Sequence, residues 1–415
     1  MQKWGNQFRV GLAVVALCLS GASPGWAAEA TPVRVGLMTA KSGPVAAAGA
    51  DMEASFRYFL DSHKGVLAGH PVELVVVDTG AVPAIAKTKV KQLIDFNKVD
   101  VLVGPIGSAE AIAIVDSVEK AQIPLIVSSA GAEDLTQRLA SSWMTRTTGS
   151  SAQPTHALGD YARKKLGYKR VVAIGDDVSY SYEAIGGFQR VFEDGGGVVV
   201  KKIWAPLGVT DYAPYLTQIP PGVDAVFAAL NGSNAIRFIK QYKEYGYKQK
   251  LPVISSVSMT DESLLRQMGD EADGIVSAAW YSPAIASSSN QKFVSGYQQA
   301  VGRSPGSLSV GGYFAAAVLE DALQHVGANF TPKTLAQALR QAKLTDTPRG
   351  SLTLDQYGNP VAPVYVLKTV KTSAGLANQV IQTYPSVSQF WTYDPVAFLK
   401  NPVYSRDFPP VKAGN

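Results

Sequence analysis

Short apolar runs alternate along most of the chain with longer segments whose apolar residues recur at helical spacing. In the first part, the predicted strands are Val33–Leu37, Val72–Val77, Val101–Val103 and Ile123–Val127. Between them, Asp51–Ser62 and Ala84–Phe96 carry apolar residues on one helical face. Strand–helix–strand alternation favours a parallel sheet covered by helices on both faces.

The same alternation begins again after a Ser/Thr/Gly/Gln stretch at 147–153. The strands predicted there are Val171–Ile174, Val198–Ile203, Ala225–Ala228, Val253–Ile254 and Ile275–Ala278. The intervening predicted helices are Tyr182–Glu193, Ala235–Tyr245 and Ser263–Met268. Each unit is long enough to bury its own core, so we predict an α/β fold of two lobes, each a mostly parallel sheet flanked by helices.

The last part of the chain has too few strands for a third sheet. Its predicted helices are Gln291–Val301, Val310–Val326 and Pro332–Ala342, and its predicted strands are Val361–Lys368 and Val380–Thr383. We therefore expect it to return to the first unit, with residues 31–148 and 279–357 forming lobe 1 and residues 149–278 and 358–387 forming lobe 2. Several strands would join the lobes as a hinge, and residues 388–415 would wrap over a surface.

The N-terminus has the layout of a secretory signal peptide. Lys3 and Arg9 accompany a short apolar run, Val10–Leu19, and small residues flank Trp26 at a cleavage-type triplet. The run is shorter than the roughly 20 apolar residues that a spanning helix needs. We assign residues 1–28 to the signal peptide and expect a soluble, periplasmic protein without stable membrane insertion.

Composition argues against several kinds of chemistry. The single cysteine, Cys18, would leave with the signal peptide, which excludes thiol catalysis and disulfides from the mature chain. The histidines are scattered singly without metal-ligand spacing, and no phosphate-binding glycine motif follows a strand. A net charge of +5 over 415 residues, with no basic run, gives no support for nucleic-acid binding. We expect no cofactor, no metal and no enzymatic activity.

The loops after the predicted strands of the first unit combine small residues, hydroxyls and helix starts. They are 39–44 with Ser42, 104–108 with Ser108, and 128–132 with Ser129. Such loops let backbone N–H groups approach a ligand at the carboxyl ends of the strands, where open α/β sheets bind their ligands. Each serine taken alone could equally be a helix cap, but together the loops favour a binding site.

Several stretches resemble one family in order and position. They are 42–46 (SGPVA), 122–132 (QIPLIVSSAGA), 135–138 (LTQR), 143–147 (WMTRT), 269–274 (GDEADG) and 313–316 (YFAA). From Val33 to about Thr383, the chain resembles the branched-chain amino-acid-binding proteins, the type I periplasmic receptors of ABC importers. The resemblance implies a monomeric solute-binding protein that delivers its ligand to the permease subunits of an importer.

The resemblance also implies which residues hold the ligand. A serine hydroxyl and backbone amides of lobe 1 would bind its carboxylate, at the positions of Ser108, Ser129, Ala130 and Gly131, with Ser42 in the neighbouring loop as a further candidate. From lobe 2, Tyr180 would close over the ligand and Asn231 would make a second contact. Tyr281, near the return to lobe 1, could line the pocket or pack in the core.

Two departures from the family change the expected ligand. The acidic residue that usually pairs with an amino-acid ammonium is replaced by Val257, and Ala46–Gly49 fill a loop that often carries a bulky aromatic residue. A buried ammonium without a partner is costly. We therefore expect a carboxylate-bearing solute without an α-ammonium, such as an aromatic or other organic acid. Asp176, Asp177 or Glu110 could still supply the missing carboxylate for an amino acid.

The expected mechanism is hinge closure, in which lobe 2 swings onto a ligand docked on lobe 1. A sensory binding module of the same fold, reporting to a membrane receptor, agrees equally well with the sequence. An exported hydrolase and a purely structural protein are weaker alternatives, because no nucleophile–histidine pairing is apparent and the strand-end loops favour a ligand.

Overall fold

The computed structural model describes residue 1, residues 31–308 and residues 310–412. The predicted signal peptide, with Cys18, lies outside the described residues except for Met1. The strands are β1 (Val33–Thr39), β2 (Val66–Leu67), β3 (His70–Asp78), β4 (Val101–Val103), β5 (Leu125–Val127), β6 (Met144–Arg146), β7 (Arg170–Asp176), β8 (Val198–Ala205), β9 (Ala225–Ala229), β10 (Val253–Ser256), β11 (Val276–Ala279), β12 (Lys343–Leu344), β13 (Leu352–Leu354), β14 (Pro360–Thr372) and β15 (Gly375–Val387).

Helices alternate with these strands through most of the chain. They are α1 (Ala46–Ser62), α2 (Pro83–Asp95), α3 (Ser108–Ala121), α4 (Ala152–Lys164), α5 (Ser179–Asp194), α6 (Ala213–Leu216), α7 (Gly232–Glu244), α8 (Val257–Thr260), α9 (Glu262–Leu265), α10 (Ser288–Val301), α11 (Val310–Val326), α12 (Pro332–Arg340) and α13 (Pro395–Leu399). Short 3₁₀ turns lie at Glu133–Thr136 and Asp270–Ala272.

The first sheet has the strand order β2-β3-β1-β4-β5-β6 and is parallel except for the β2–β3 pair. Strands β4, β5 and β6 are buried at every position and β1 at every position except Arg34, which is why these strands read as short apolar runs. In β4, Val101 and Val103 pack into the layer of α1 and α11, whereas Leu102 packs into the layer of α2 and α3. This alternation follows from the two-residue period of a strand.

The second sheet has the order β12-β13-β14-β11-β10-β9-β7-β8, with β15 paired to β14. Strands β7, β8, β9, β10 and β11 are parallel to one another, and β14 runs antiparallel to β11. One face packs against α7 and the other against α4 and α5. Two mostly parallel sheets flanked by helices confirm the predicted fold class.

The last helices pack against the first sheet. Leu319 of α11 and Leu335 of α12 share a core with Val35 of β1, so the chain passes between the two sheets after β6, after β11 and again between α12 and β14. Strands β12 and β13 pair onto β14 and thus continue the second sheet, although residues 343–354 fall within the range expected for lobe 1. The lobe boundaries stay a prediction.

Buried polar side chains tie the crossing segments together. Arg349 donates hydrogen bonds to the carbonyls of Thr147 at 2.9 Å and Thr148 at 2.6 Å, in the first crossing. The side-chain amide of Gln153 donates to the carbonyls of Pro360 at 2.8 Å and Val387 at 2.6 Å. These bonds link the first connection to the third and to the end of β15.

The C-terminal segment covers helices α4 and α5 of lobe 2. Phe390, Phe398 and Tyr404 form a hydrophobic cluster with Ala152, and the guanidinium of Arg190 lies 4.4 Å from the Phe398 ring. The short helix α13 within this segment was not predicted from the sequence. Within residues 31–308 and 310–412, no helix combines the length and apolar character needed to cross a bilayer.

Candidate functional site

A cavity of about 340 Å³ lies between the lobes, at the carboxyl ends of the strands of both sheets. Lobe 1 contributes residues that follow β1, β3, β4 and β5, and lobe 2 contributes residues that follow β7 to β10. The apolar lining consists of Pro44, Val45, Ala48, Ala81, Val82, Ile106, Ala109, Val178, Leu207, Trp280 and Leu308. The polar lining consists of Ser108, Ser129, Ser179, Tyr180, Asn231, Ser233, Asn234 and Ser258, and glycines complete the wall.

The lobe 1 wall presents hydrogen-bond donors. Ser108 is the first residue of α3, and the Glu110 side chain fixes this helix start by accepting a hydrogen bond from the Gly107 N–H at 2.8 Å. Ser108 and Ser129 are only 7% and 6% exposed, and no described residue bonds to either hydroxyl. Two unpartnered hydroxyls beside the free N–H groups and positive dipole end of a helix suit an anion.

The lobe 2 wall begins with Tyr180 in the first turn of α5 and with Asn231, the N-cap residue of α7. Burial raises the pKa of the Tyr180 hydroxyl, while its hydrogen bonds with Ser256 and Ser258 oppose that shift. The phenol therefore stays neutral at physiological pH and can close over a ligand as an aromatic face with a polar edge.

Asp176 ends β7 directly behind Asn231. Its carboxylate is fully buried and accepts hydrogen bonds from the backbone N–H of Asn231 at 2.8 Å, the side-chain amide of Asn231 at 2.9 Å and that of Asn234 at 2.6 Å. Burial raises its pKa to about 6 against the opposing effect of these bonds. The carboxylate is thus occupied by amides of its own lobe and does not line the cavity.

The other carboxylates that could have served an amino-acid ligand are occupied as well. Asp177 accepts a hydrogen bond from the Tyr182 hydroxyl and pairs with Arg406 at 2.9 Å. Glu110 is bound to the Gly107 N–H at the start of α3. In the described part of the chain, no charged side chain lines the cavity, which leaves a buried ammonium without a counter-charge.

The cavity brings together five of the residues predicted from the sequence, namely Ser108, Ser129, Gly131, Tyr180 and Asn231. Space for a side chain at Gly131 is tight, because a Cβ there would lie 2.4 Å from the Ser151 hydroxyl oxygen and 3.1 Å from the Ser151 backbone nitrogen. Four other predicted residues, Ser42, Ala130, Val257 and Tyr281, are not part of the lining.

Each of those four has a local reason for lying elsewhere. The Ser42 hydroxyl donates to the Asp78 carboxylate at 3.0 Å. Ala130 is buried in the lobe 1 core, and its N–H donates to the Pro105 carbonyl at 3.2 Å. Val257 and Tyr281 are buried in one hydrophobic cluster beside the cavity.

The lining also contains residues that sequence reasoning missed. Trp280 reaches the cavity while its indole N–H donates to the Ser307 carbonyl at 3.0 Å, and Ser258 and Leu207 contribute from lobe 2. Trp280 directly precedes Tyr281 and Ser258 directly follows Val257, so in both cases the sequence pointed to the right loop and the residue chosen was the neighbour of the one that lines the cavity. Among residues 31–308 and 310–412, no group of three or more His, Cys, Asp or Glu side chains is arranged to hold a metal ion.

Two α/β lobes joined by a multi-strand hinge, with an uncharged, ligand-sized cavity between them, define a solute-binding protein. The chain belongs to the periplasmic binding protein family, which it matches over residues 32–375. The predicted relationship to the branched-chain amino-acid-binding proteins is confirmed by its relatives. Leu/Ile/Val-binding protein homolog 6 of Brucella melitensis is 29% identical over 272 residues, covering 65% of this chain and 69% of that protein.

Solved structures agree with this assignment. An ABC transporter substrate-binding protein from Sphaerobacter thermophilus has a TM-score of 0.81 and 31% identity, covering 86% of this chain and 99% of its own. A solute-binding protein of an ABC transporter from Rhodopseudomonas palustris BisB5, solved in complex with 3,4-dihydroxybenzoic acid, also has a TM-score of 0.81 and 31% identity, covering 86% of this chain and 98% of its own. These relatives are transport receptors and not enzymes, so the predicted solute-binding role in import is confirmed.

Proposed function

We propose that this chain captures a small carboxylate-bearing solute, an aromatic acid in preference to an amino acid, and presents it to the permease subunits of an ABC importer. The observation that carries the proposal is the composition of the cavity. The hydroxyls of Ser108, at the N-terminus of α3, and of Ser129, in the loop after β5, are unpartnered. The remaining wall is largely apolar, and no charged side chain of the described residues lines the cavity.

The carboxylate would dock on lobe 1. The hydroxyls of Ser108 and Ser129 and the first N–H groups of α3 are the unoccupied donors there. Hydrogen bonds to a charged acceptor are stronger than those between neutral groups. A neutral cavity also supplies no second negative charge that would repel the bound anion.

The rest of the ligand would lie against apolar residues. Trp280, Leu308 and Ile106 line this part of the cavity, and the small side chain of Ala48 leaves room on the lobe 1 side. An aromatic ring gains from such burial, whereas an α-ammonium would lose its hydration without gaining a counter-charge. The dihydroxybenzoic acid bound by the Rhodopseudomonas relative supports the same ligand class.

Capture would proceed by closure of the lobes. Gly232 of lobe 2 packs against the Pro44 carbonyl of lobe 1, and the Asp261 carboxylate of lobe 2 accepts a hydrogen bond from the Leu308 N–H at 2.9 Å. A ligand that contacts both walls favours the closed form by the difference in its affinity for the two states. In this proposal, residues 31–148 and 279–357 move as lobe 1, and residues 149–278 and 358–387 move as lobe 2.

The proposed function also includes export to the periplasm and a monomeric state. Residues 1–28 would direct the chain to the periplasm and be removed, and the mature protein would act as a monomer. Intact mass of the protein recovered from the periplasm tests the cleavage, and light scattering after size exclusion tests the monomer.

A thermal-shift screen followed by titration calorimetry tests the ligand class. Benzoate-type acids should raise the Tm, and leucine and valine should not. Ser108→Ala should weaken the bound acid roughly 10- to 100-fold, the range for a hydrogen bond to a charged group. Ser117→Ala, on the same helix but outside the lining, is the control. Stabilisation by leucine or valine alone, or unchanged affinity in Ser108→Ala, would refute the proposal.

A further inference from the structure

The polar groups on the two walls of the cavity differ in hydrogen-bond character. Lobe 1 offers donors from Ser108, Ser129 and the start of α3. On lobe 2, the partners already present decide what each side chain can still offer. Asn231 is the informative residue, because the NH₂ group of its side-chain amide is occupied by Asp176 and the carbonyl oxygen of that amide is not.

The amide of Asn231 has a fixed orientation. Its Nδ2 donates to Asp176 Oδ2 at 2.9 Å, and its backbone N–H donates to the same oxygen at 2.8 Å. An ionised carboxylate can only accept hydrogen bonds, so the amide must turn its NH₂ group toward Asp176. The carbonyl oxygen Oδ1 then lies on the opposite side of the planar amide, and no described residue bonds to it.

Neighbouring groups on the same wall reinforce this character. Asn234 is fully occupied, since its Nδ2 donates to Asp176 and the Pro206 carbonyl while its Oδ1 accepts from the Gly208 N–H. The Ser258 hydroxyl donates to the Leu230 carbonyl at 3.0 Å and lies 3.1 Å from the Ser256 hydroxyl, so it has no proton left to donate to a ligand. The hydroxyls of Ser179 and Ser233 can rotate to donate or accept and do not oppose the pattern.

We infer that Asn231, held in one orientation by Asp176, selects solutes that carry a hydrogen-bond donor on the end remote from the carboxylate. The inference rests on the proposed capture of aromatic acids. The favoured ligands are then ring-hydroxylated or ring-aminated aromatic acids, ahead of unsubstituted and alkoxylated ones. Asp176 is a positioning residue, because it acts on the ligand only through the Asn231 amide.

Titration calorimetry at pH 8 tests this with benzoate and with its 3- and 4-hydroxy and 3- and 4-methoxy derivatives. A hydroxyl donates and accepts, whereas a methoxy oxygen only accepts. In the unmodified protein, the better hydroxybenzoate should bind about tenfold more tightly than its methoxy counterpart. Asn231→Ala should bring the hydroxy acid and its methoxy counterpart within about twofold of each other, because the acceptor that distinguishes them is lost.

Asp176→Asn should also reduce the preference, since an amide at that position no longer imposes one orientation on Asn231. Asp177→Asn is the matched control, because its bonds to Tyr182 and Arg406 lie outside the cavity lining, and it should keep the preference. Equal binding of hydroxy and methoxy acids, or a preference that survives in Asn231→Ala, would overturn the inference alone. Failure of every aromatic acid to bind would overturn the proposed function and this inference together.

Discussion

Gly232 offers a direct way to obstruct lobe closure without touching the ligand's anchor. It begins α7 with a φ of +50°, and a Cβ there would collide with the Pro44 carbonyl oxygen of lobe 1. Gly232→Ala therefore has two separable effects. The left-handed backbone costs ~1–2 kcal/mol in any conformation, whereas the collision with Pro44 arises only when the lobes are together.

The size of the second effect can be estimated from overpacking. Forcing an extra methyl group against backbone costs ~1–3 kcal/mol. If that cost falls only on the closed state, it weakens ligand binding roughly 5- to 150-fold. The Kd comes from titration calorimetry, and small-angle scattering should show a smaller ligand-induced decrease in the radius of gyration.

Gly246→Ala is the matched control. Gly246 follows the same helix with a φ of +73°, and a Cβ there would meet no atom within 4 Å. Both variants should lose a similar amount of Tm, but only Gly232→Ala should lose affinity. Wild-type affinity in Gly232→Ala, or an equal loss in both variants, would refute the claim that this contact belongs to closure.

Two further predictions concern charges between the lobes. Arg266 of lobe 2 pairs with Asp51 of α1 at 3.1 Å, while Arg303 also holds Asp51 at 2.5 Å. Because the Arg266 side chain is 36% exposed, its ion pair is screened by solvent, and Arg266→Ala should weaken ligand binding only about two- to fivefold at low salt. An unchanged ligand affinity by calorimetry would contradict a role for this ion pair in closure. Glu133 and Glu183 meet across the lobes beside Arg146, whose single positive charge can neutralise only one of the two carboxylates. Burial raises the pKa of Glu133 to about 7 and that of Glu183 well above its ordinary value. The folded state then holds protons that the unfolded chain releases near pH 4.5, so the free energy of unfolding should fall as pH rises from about 4.5 through 7, and less steeply in Glu183→Gln. Equal slopes in urea titrations of the two proteins would exclude this pair as the source.

Much of the fold follows from the sequence because its strands are buried on both faces. Such strands appear as uninterrupted apolar runs, and β1, β4, β7 and β9 were predicted close to their observed positions. Helix α4 was missed for the opposite reason. Its buried face carries Gln153, Thr155 and His156 against the hinge and the C-terminal segment, so the helix lacks the apolar period that marks a helix in sequence.

The candidate site was predictable to the level of loops but not always to the level of residues. Strand ends predict where a cleft lies, since all parallel strands of a sheet point their carboxyl ends the same way. Which neighbour faces the cleft depends on the local direction of the chain after the strand. Trp280 lines the cavity and Tyr281 packs in the core, because successive residues of extended chain point to opposite sides. Val257 and Ser258 begin helix α8, where consecutive side chains point in different directions around the helix axis, and only Ser258 lines the cavity.

That one-residue difference alters the reason for expecting an acid without an ammonium. Val257, which suggested it in the sequence, does not line the cavity, so its apolar character alone decides nothing about the ligand. The expectation now depends on the whole lining, from which charged side chains of the described chain are absent. Asp176 adds a second point, because its carboxylate, directly behind Asn231, is buried and bound to the side-chain amides of Asn231 and Asn234. To use that carboxylate, an ammonium ligand would have to displace those bonds, whereas a ring hydroxyl could donate to the Asn231 carbonyl oxygen, to which no described residue bonds.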